Sequence, residues 1–212
     1  MTSELEDVER YIRACQTDFW GVVFEAEARY LLEHLAGCKD VLSVGCGPAV
    51  IESVLSERGF RVTGLDVSRE ALDRAPDTIR TVAASADQMP FPASSFDAVI
   101  YVASLQFVEH YEEAIKETAR VLRAGGRLIA MLLNPESGFF KRKSGDPSSY
   151  VRRIRHTDLR EIEGVIARDF AVQSEFFLGI KGDTVFESRD AADAALYIIR
   201  GVRQPLPQQE GR

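Results

Sequence analysis

The feature that most constrains this chain is an apolar run that ends in a glycine loop. The run Val41-Leu42-Ser43-Val44 predicts a strand, and it continues into Gly45-Cys46-Gly47-Pro48. Glycine has no Cβ, so the backbone of such a loop approaches a ligand closely where it opens onto a helix. A second apolar run ends at Asp66, 21 residues after Gly45. Its carboxylate is placed to accept the hydroxyls of a ribose, so the pair indicates a nucleoside-bearing ligand.

Length and composition are those of one compact α/β domain. At 212 residues and 45% hydrophobic content, the chain can bury a full core without disulfides or a structural metal. The cysteines are Cys15, Cys38 and Cys46, with no CxxC pair, so we expect no disulfide framework, no metal site and a reducing cytoplasmic location. The acidic N-terminus is unlike a signal peptide, and no apolar run is long enough to cross a bilayer.

Charge excludes some classes of partner. The formal net charge of −7 argues against a surface built for nucleic acid, and we expect no membrane partner either. A local basic segment spans residues 139–160. It has two interpretations, a solvated face or a contact for an anionic substrate, a nucleic acid or a protein. Its basic residues are Lys141, Arg142, Lys143, Arg152, Arg153, Arg155 and Arg160.

Hydrophobic periodicity predicts alternating helices and strands. We expect helices near 4–14, 21–36, 48–58, 68–75, 111–123 and 157–170. We expect strands near 40–44, 61–65, 79–83, 96–102, 126–133, 172–180 and 195–203. This pattern predicts a doubly wound, seven-stranded, mostly parallel sheet with an antiparallel hairpin at one edge. A loop of about 20 residues would join Asn134 to Arg155, and its length favours a functional role.

Three further blocks of sequence follow the glycine loop at regular spacing. They are Ala84-Ser85-Ala86-Asp87-Gln88-Met89-Pro90-Phe91-Pro92, then Ser94-Ser95-Phe96-Asp97-Ala98-Val99-Ile100, then Val121-Leu122-Arg123-Ala124-Gly125-Gly126-Arg127-Leu128-Ile129. With the loop and Asp66, they resemble the class I S-adenosylmethionine-dependent methyltransferases of the small-molecule type known as methyltransferase domain 11. The resemblance covers about residues 38 to 135. It implies a Rossmann-like fold, S-adenosyl-L-methionine as cofactor and methyl transfer to a small-molecule acceptor.

The resemblance also implies a role for individual residues. Gly45 and Gly47, with Cys46 between them, would lie against the methionine part of the cofactor, and Asp66 would bind the ribose. Val67 and the backbone of Ala86 would contact adenine. The residues expected on the sulfonium side are Tyr101, Val102 and Gln106.

Several positions depart from the family pattern. Ser43 stands where the family commonly has an acid that holds the cofactor's amino group, and Ser85 stands where an Asp commonly accepts from adenine. Asp87 is close enough in sequence to compensate for Ser85. Ala49, after Pro48, replaces the usual third loop glycine. Each lost charged hydrogen bond would cost about 1 to 3 kcal/mol of cofactor affinity.

In the resembling family the N-terminal helices cover the cofactor. We therefore expect a cap over residues 1–37, a methyltransferase domain over 38–204 and a flexible tail over 205–212. The cap and the long loop would wall the acceptor pocket with Tyr11, Phe19, Trp20 and Tyr150, although Phe19 and Trp20 are also ordinary core residues.

Catalytic residues are not identified by the sequence, although Glu109 and His110 are candidate general bases. A sulfonium already activates its methyl group, so positioning can supply most of the acceleration. Two other classes of protein stay open, a non-catalytic or regulatory binder of S-adenosylmethionine and an NAD-type dehydrogenase. The assembly would be a monomer or a homodimer.

Overall fold

The computed structural model describes residues 9, 13, 17–147 and 149–204. Apart from residues 9 and 13, the expected helix over 4–14, with Tyr11, lies outside the described residues, as does the expected tail over 205–212. The described ranges contain eight strands: β1 (Asp40–Val44), β2 (Arg61–Asp66), β3 (Arg80–Ala83), β4 (Phe96–Val102), β5 (Leu122–Leu133), β6 (Phe170–Lys181), β7 (Thr184–Phe186) and β8 (Ala194–Arg203). The α-helices are α1 (Asp18–His34), α2 (Val50–Glu57), α3 (Arg69–Leu72), α4 (Tyr111–Val121), α5 (Gly138–Ser144) and α6 (Leu159–Ile166).

The strands form one sheet in the order β3-β2-β1-β4-β5-β8-β6-β7. The first five are parallel, and the pairs β5–β8, β8–β6 and β6–β7 are antiparallel. The order reverses between β1 and β4, so a crevice opens there at the carboxyl ends of the strands, where open α/β sheets bind ligands. The mixed, mostly parallel α/β architecture confirms the predicted fold class.

The sheet has one strand more than the seven predicted. The two late apolar runs pair with each other as β6 and β8 on one side of the sheet, which confirms the predicted antiparallel edge. The outermost strand is β7, a three-residue segment that pairs with the end of β6. The sequence missed it because three residues carry no measurable alternation.

The predicted loop from Asn134 to Arg155 is also wrong in part, because it contains α5 and a 3₁₀ turn at Tyr150–Arg153. The Ser137 side chain caps α5 by accepting a hydrogen bond from the Phe140 N–H, at 3.1 Å. Basic residues fill the last turn of α5, where they favour a helix C-terminus. The cap was readable from the sequence, whereas apolar periodicity over seven residues was not.

Asp97 lies at the amino end of β4, opposite the crevice. It accepts the N–H groups of Lys39 and Asp40, both at 2.9 Å, and it pairs with Arg123 at 2.5 Å. These contacts tie the start of β1 to β4 and to the turn before β5. Asp97 therefore has a structural role. Among the helices of the described ranges, none is both long and apolar enough to cross a membrane.

Candidate functional site

A cavity of about 1070 Å³ opens at the carboxyl ends of β1, β2 and β4. The glycine loop, the end of β2 and the segment after β3 form one side of it. Helices α1 and α5, with the antiparallel strands, form the other side. The predicted residues that line it are Gly45, Cys46, Gly47, Asp66, Val67, Ser85, Ala86, Asp87, Val102, Trp20 and Tyr150.

The two loop glycines lie in different surroundings. Gly45 has φ +72°, and a Cβ there would lie 2.5 Å from Cβ of Ser104, whose hydroxyl donates to the Val44 carbonyl. Gly45 is thus required for close packing between the ends of β1 and β4. Gly47 has φ +53°, and a Cβ there would meet no atom within 4 Å. The backbone at Gly47 therefore faces free space that a ligand can fill.

Cys46, between these glycines, packs into the sheet side of the loop. A Cβ on Gly64 of β2 would lie 2.6 Å from the Cys46 sulfur, so Gly64 makes room for this side chain. Burial raises the pKa of the Cys46 thiol. The group is a neutral thiol at neutral pH, and this argues against a nucleophilic role.

Asp66 joins the glycine loop to the helix after β2. One carboxylate oxygen accepts the Gly47 N–H at 2.8 Å, and the other accepts the Ser68 N–H at 2.9 Å. Ser68 in turn caps α3 by accepting from the Ala71 N–H. Each carboxylate oxygen has two lone pairs, so each retains capacity for one more donor. Two neighbouring hydroxyl groups are suitable donors for such a carboxylate.

The segment after β3 is held from outside by an ion pair on α4. Glu117 accepts the Met89 N–H at 2.8 Å, and Arg120 donates to the carbonyls of Met89 and Phe91 at 2.9 and 2.7 Å. Hydrogen bonding to Arg120 lowers the pKa of Glu117, so the carboxylate is charged at neutral pH. Sequence analysis missed both positioning residues, because their contacts reach 28 to 31 residues along the chain.

Ser85, Ala86 and Asp87 are positioned by that ion pair. Ala86 is buried, Asp87 is half-buried, and all three line the cavity. Val67 lies at the rim and is 71% exposed, an unusual state for a large apolar side chain. This part of the cavity wall therefore combines an apolar rim with a carboxylate.

Two buried glutamates also line the cavity and were missed from the sequence. Glu52 of α2 is 3% exposed and accepts the Ser43 hydroxyl at 2.5 Å. Glu27 of α1 is 4% exposed, and within the part of the chain that the structure describes its Oε2 atom has no hydrogen-bond partner. Burial, with the nearby Glu52 charge, raises the pKa of Glu27 to about 8. Burial raises the pKa of Glu52 to about 7, although the Ser43 hydrogen bond opposes the shift.

A signal for both glutamates was present in the pattern. Glu27 stands on the apolar stripe of α1 formed by Val23, Ala28 and Leu31, and Glu52 follows the buried Ile51 on α2. An acid on the buried stripe of an amphipathic helix is rare unless it is paired.

The far side of the cavity is aromatic. Trp20 of α1 stacks on Phe24 with ring centroids 5.7 Å apart and meets Phe139 of α5 edge-on at 6.2 Å. Tyr150 stacks on Phe107 at 6.2 Å. Trp20 and Tyr150 thus line the cavity where the sequence predicted an acceptor pocket.

Four predicted site residues do not line the cavity. Tyr101 is fully buried, and its hydroxyl pairs with Thr118 of α4 at 2.7 Å. Gln106 is fully buried as well and bonds to both backbone groups of Leu133 and to the His156 carbonyl. Strand alternation turns Tyr101 away from Val102, which does face the cavity. The other two are Ser43, whose hydroxyl donates a hydrogen bond to Glu52, and Phe19, which packs edge-on against Trp20.

Comparison with known proteins identifies a methyltransferase domain within the chain. Residues 42–130 match the model of that domain. This part of the chain is similar to the S-adenosylmethionine-dependent methyltransferases. The matched segment contains the glycine loop, Asp66 and the segment after β3. S-adenosylmethionine is the cofactor of this family, and the open cradle at Gly47 and the free acceptor capacity of Asp66 fit it.

Similar proteins share the domain and the fold. An uncharacterized protein of Methanocaldococcus jannaschii is 31% identical over 63% of this chain and 59% of its own length. A demethylmenaquinone methyltransferase of Tropheryma whipplei is 33% identical over 43% of this chain and 40% of its own length. The chain therefore spans about half the length of these relatives. A crystal structure from Thermotoga maritima, described as a SAM-dependent methyltransferase and possible histamine N-methyltransferase, matches the fold with a TM-score of 0.79 at 20% identity. It covers 95% of this chain and 99% of that one.

Proposed function

We propose that this protein transfers a methyl group from S-adenosylmethionine to a small-molecule acceptor. The observation that carries the proposal is one continuous cavity that joins Asp66 and the glycine loop to the aromatic wall around Trp20. At about 1070 Å³ it exceeds the range of roughly 300 to 1,000 Å³ that suits a single drug-sized ligand. A nucleoside cofactor and a small acceptor would fit there side by side.

The chain's own residues would position the two reactants. The backbone at Gly47 and the Asp66 carboxylate hold the cofactor, which supplies a methyl group already activated by its sulfonium. Val67 and Asp87 would contact the base. Trp20, on the proposed cap over 1–37, would cover the site and exclude water, and alignment of the acceptor would supply most of the acceleration.

The acceptor side favours a flat molecule, with room for an anionic group. Trp20, Phe139 and Tyr150 offer aromatic faces, and Lys143 and Arg155 line the same cavity. Two curated relatives are named demethylmenaquinone methyltransferase and ubiquinone biosynthesis O-methyltransferase, and these names support a small-molecule acceptor. We further propose a reducing cytoplasmic location, in keeping with the free thiols of Cys38 and Cys46.

A general base would come from the acceptor side of the cavity. Glu109 and His110 line the cavity just before α4. Glu109 pairs with Arg155 at 3.6 Å, where both side chains are largely exposed. We propose His110 or Glu109 as the proton acceptor for a hydroxyl substrate, whereas an amine or thiolate would not require one.

Calorimetry with S-adenosylmethionine, S-adenosylhomocysteine and NAD tests the proposal. We expect heat from both adenosyl ligands and none from NAD. Asp66→Ala should weaken adenosyl binding at least about tenfold, because a charged hydrogen bond contributes about 1.5 to 3 kcal/mol. Asp97→Ala is the matched control, because Asp97 also accepts two backbone N–H groups but lies at the other end of the sheet.

The outcomes separate the candidate classes. If neither adenosyl ligand gave binding heat at millimolar concentration, the proposal would be refuted. Binding without turnover against a broad acceptor panel would favour a non-catalytic binder. Equal loss of affinity in Asp66→Ala and Asp97→Ala would show that the ligand site is misplaced.

A further inference from the structure

We propose that Glu27 and Glu52 together form a subsite for a primary ammonium group, the one on the methionine part of the cofactor. The inference rests on the proposed function and names residues that take the place of the acid absent at Ser43.

Glu52 lies next to the expected path of the cofactor. It stands on the first turn of α2, directly after the glycine loop, and its carboxylate accepts the hydroxyl of Ser43 in β1. Asp66 is close enough for its charge to act on Glu52. A cofactor whose ribose is held by Asp66 and whose chain crosses the glycine loop would therefore end near Glu52.

Both glutamates line the cavity, yet each is less than 5% exposed. The Glu52 carboxylate accepts from Ser43, whereas Oε2 of Glu27 has no hydrogen-bond partner among the described residues. Buried carboxyl groups are normally paired, because an unpaired buried polar atom is costly. Two acids that share one pocket and point an open acceptor at it are suited to a cation with several N–H donors.

The two carboxylates are better suited to an ammonium group than to a metal ion. Among the described residues, no group of three or more His, Cys, Asp or Glu side chains is arranged to hold a metal ion. An ammonium has three donors and no acceptor, and it can bridge two carboxylates with a third bond left for a backbone carbonyl. Within the described ranges, the charges that act on this pair come from the two glutamates themselves and from Asp66, all of them acidic.

Proton release should accompany binding at this subsite. The carboxyl groups hold protons near neutral pH in the free protein. A bound ammonium favours their charged forms, so a proton leaves to the solvent as the cation enters. Affinity for a ligand that carries the ammonium should then rise with pH between about 6 and 8.

The experiment compares two adenosyl ligands by calorimetry. S-adenosylhomocysteine carries the ammonium group, and 5′-methylthioadenosine has the same nucleoside and sulfur without it. Glu52→Gln and Glu27→Gln should each weaken S-adenosylhomocysteine binding at least about tenfold and leave 5′-methylthioadenosine within about twofold. Glu57→Gln, on the exposed face of the same helix as Glu52, is the matched control and should change neither.

A second readout counts protons. At pH 7.5, S-adenosylhomocysteine binding measured in buffers of different ionisation heat should release about half a proton or more from the wild type, and clearly less from Glu27→Gln. Unchanged S-adenosylhomocysteine affinity in both variants, or equal weakening of both ligands, would overturn the subsite. Its failure differs from failure of the proposed function, in which the wild type would bind neither ligand.

Discussion

Replacing Glu27 by Gln should flatten the dependence of the free protein's stability on pH. Burial raises the pKa of this carboxyl from 4.5 to about 8. The unfolded chain therefore loses its proton near pH 4.5, whereas the folded chain keeps it until about pH 8. Between those values the folded state binds more protons, so its stability falls as the pH rises.

The magnitude follows from the two pKa values. Each unit of separation corresponds to about 1.36 kcal/mol, so the carboxyl should lower the free energy of unfolding by about 3 kcal/mol between pH 5.5 and 8.5. Glutamine has nearly the same shape and no titrating proton, so Glu27→Gln should remove this contribution to the change of the free energy of unfolding with pH.

Urea unfolding at pH 5.5, 7 and 8.5, without ligand, measures the effect. Glu25→Gln, on the exposed face of the same helix, should keep the wild-type slope. A wild-type stability that does not change with pH would refute the reasoning. An unchanged slope in Glu27→Gln would refute it equally.

Two further predictions concern the glycine loop. Ala49 adopts φ +59°, a left-handed conformation that favours glycine, so Ala49→Gly should raise the free energy of unfolding by about 0.5 to 1 kcal/mol and Ala49→Val should lower it in thermal unfolding. Gly45→Ala should lower the free energy of unfolding by about 2 kcal/mol or more, because the added Cβ meets Ser104 in a strained backbone. The same substitution in a Ser104→Gly background should restore part of the loss. A loss of the same size in both backgrounds would contradict the contact.

Sequence alone was sufficient for the parallel half of the fold. The pattern located β1 and β4 with the observed bounds, because buried parallel strands appear as continuous apolar runs. It did not locate β7 or α5, since elements of three and seven residues are stabilised by tertiary contacts more than by a pattern of their own.

The site was predictable where the backbone determines it. Gly45, Gly47 and Asp66 lie at strand ends, so their spacing places them at one edge of the sheet. Tyr101 and Gln106 were misplaced because the direction of a side chain depends on one residue of register and on partners far along the chain.

The two buried glutamates connect the family departure at Ser43 with the energetics of the fold. A serine in β1 leaves the strand itself neutral and turns its hydroxyl to Glu52, so the carboxylate reaches the cavity from helix α2. Among the described residues no cation acts on these two acids in the free protein, so its stability falls as they ionise. A ligand that brings an ammonium to the folded state alone reverses this loss. Binding at this end of the cavity should therefore raise the unfolding temperature more at pH 8 than at pH 6. Thermal unfolding with saturating S-adenosylhomocysteine at both pH values would measure that difference, and an equal rise at both would contradict the link between charge and stability.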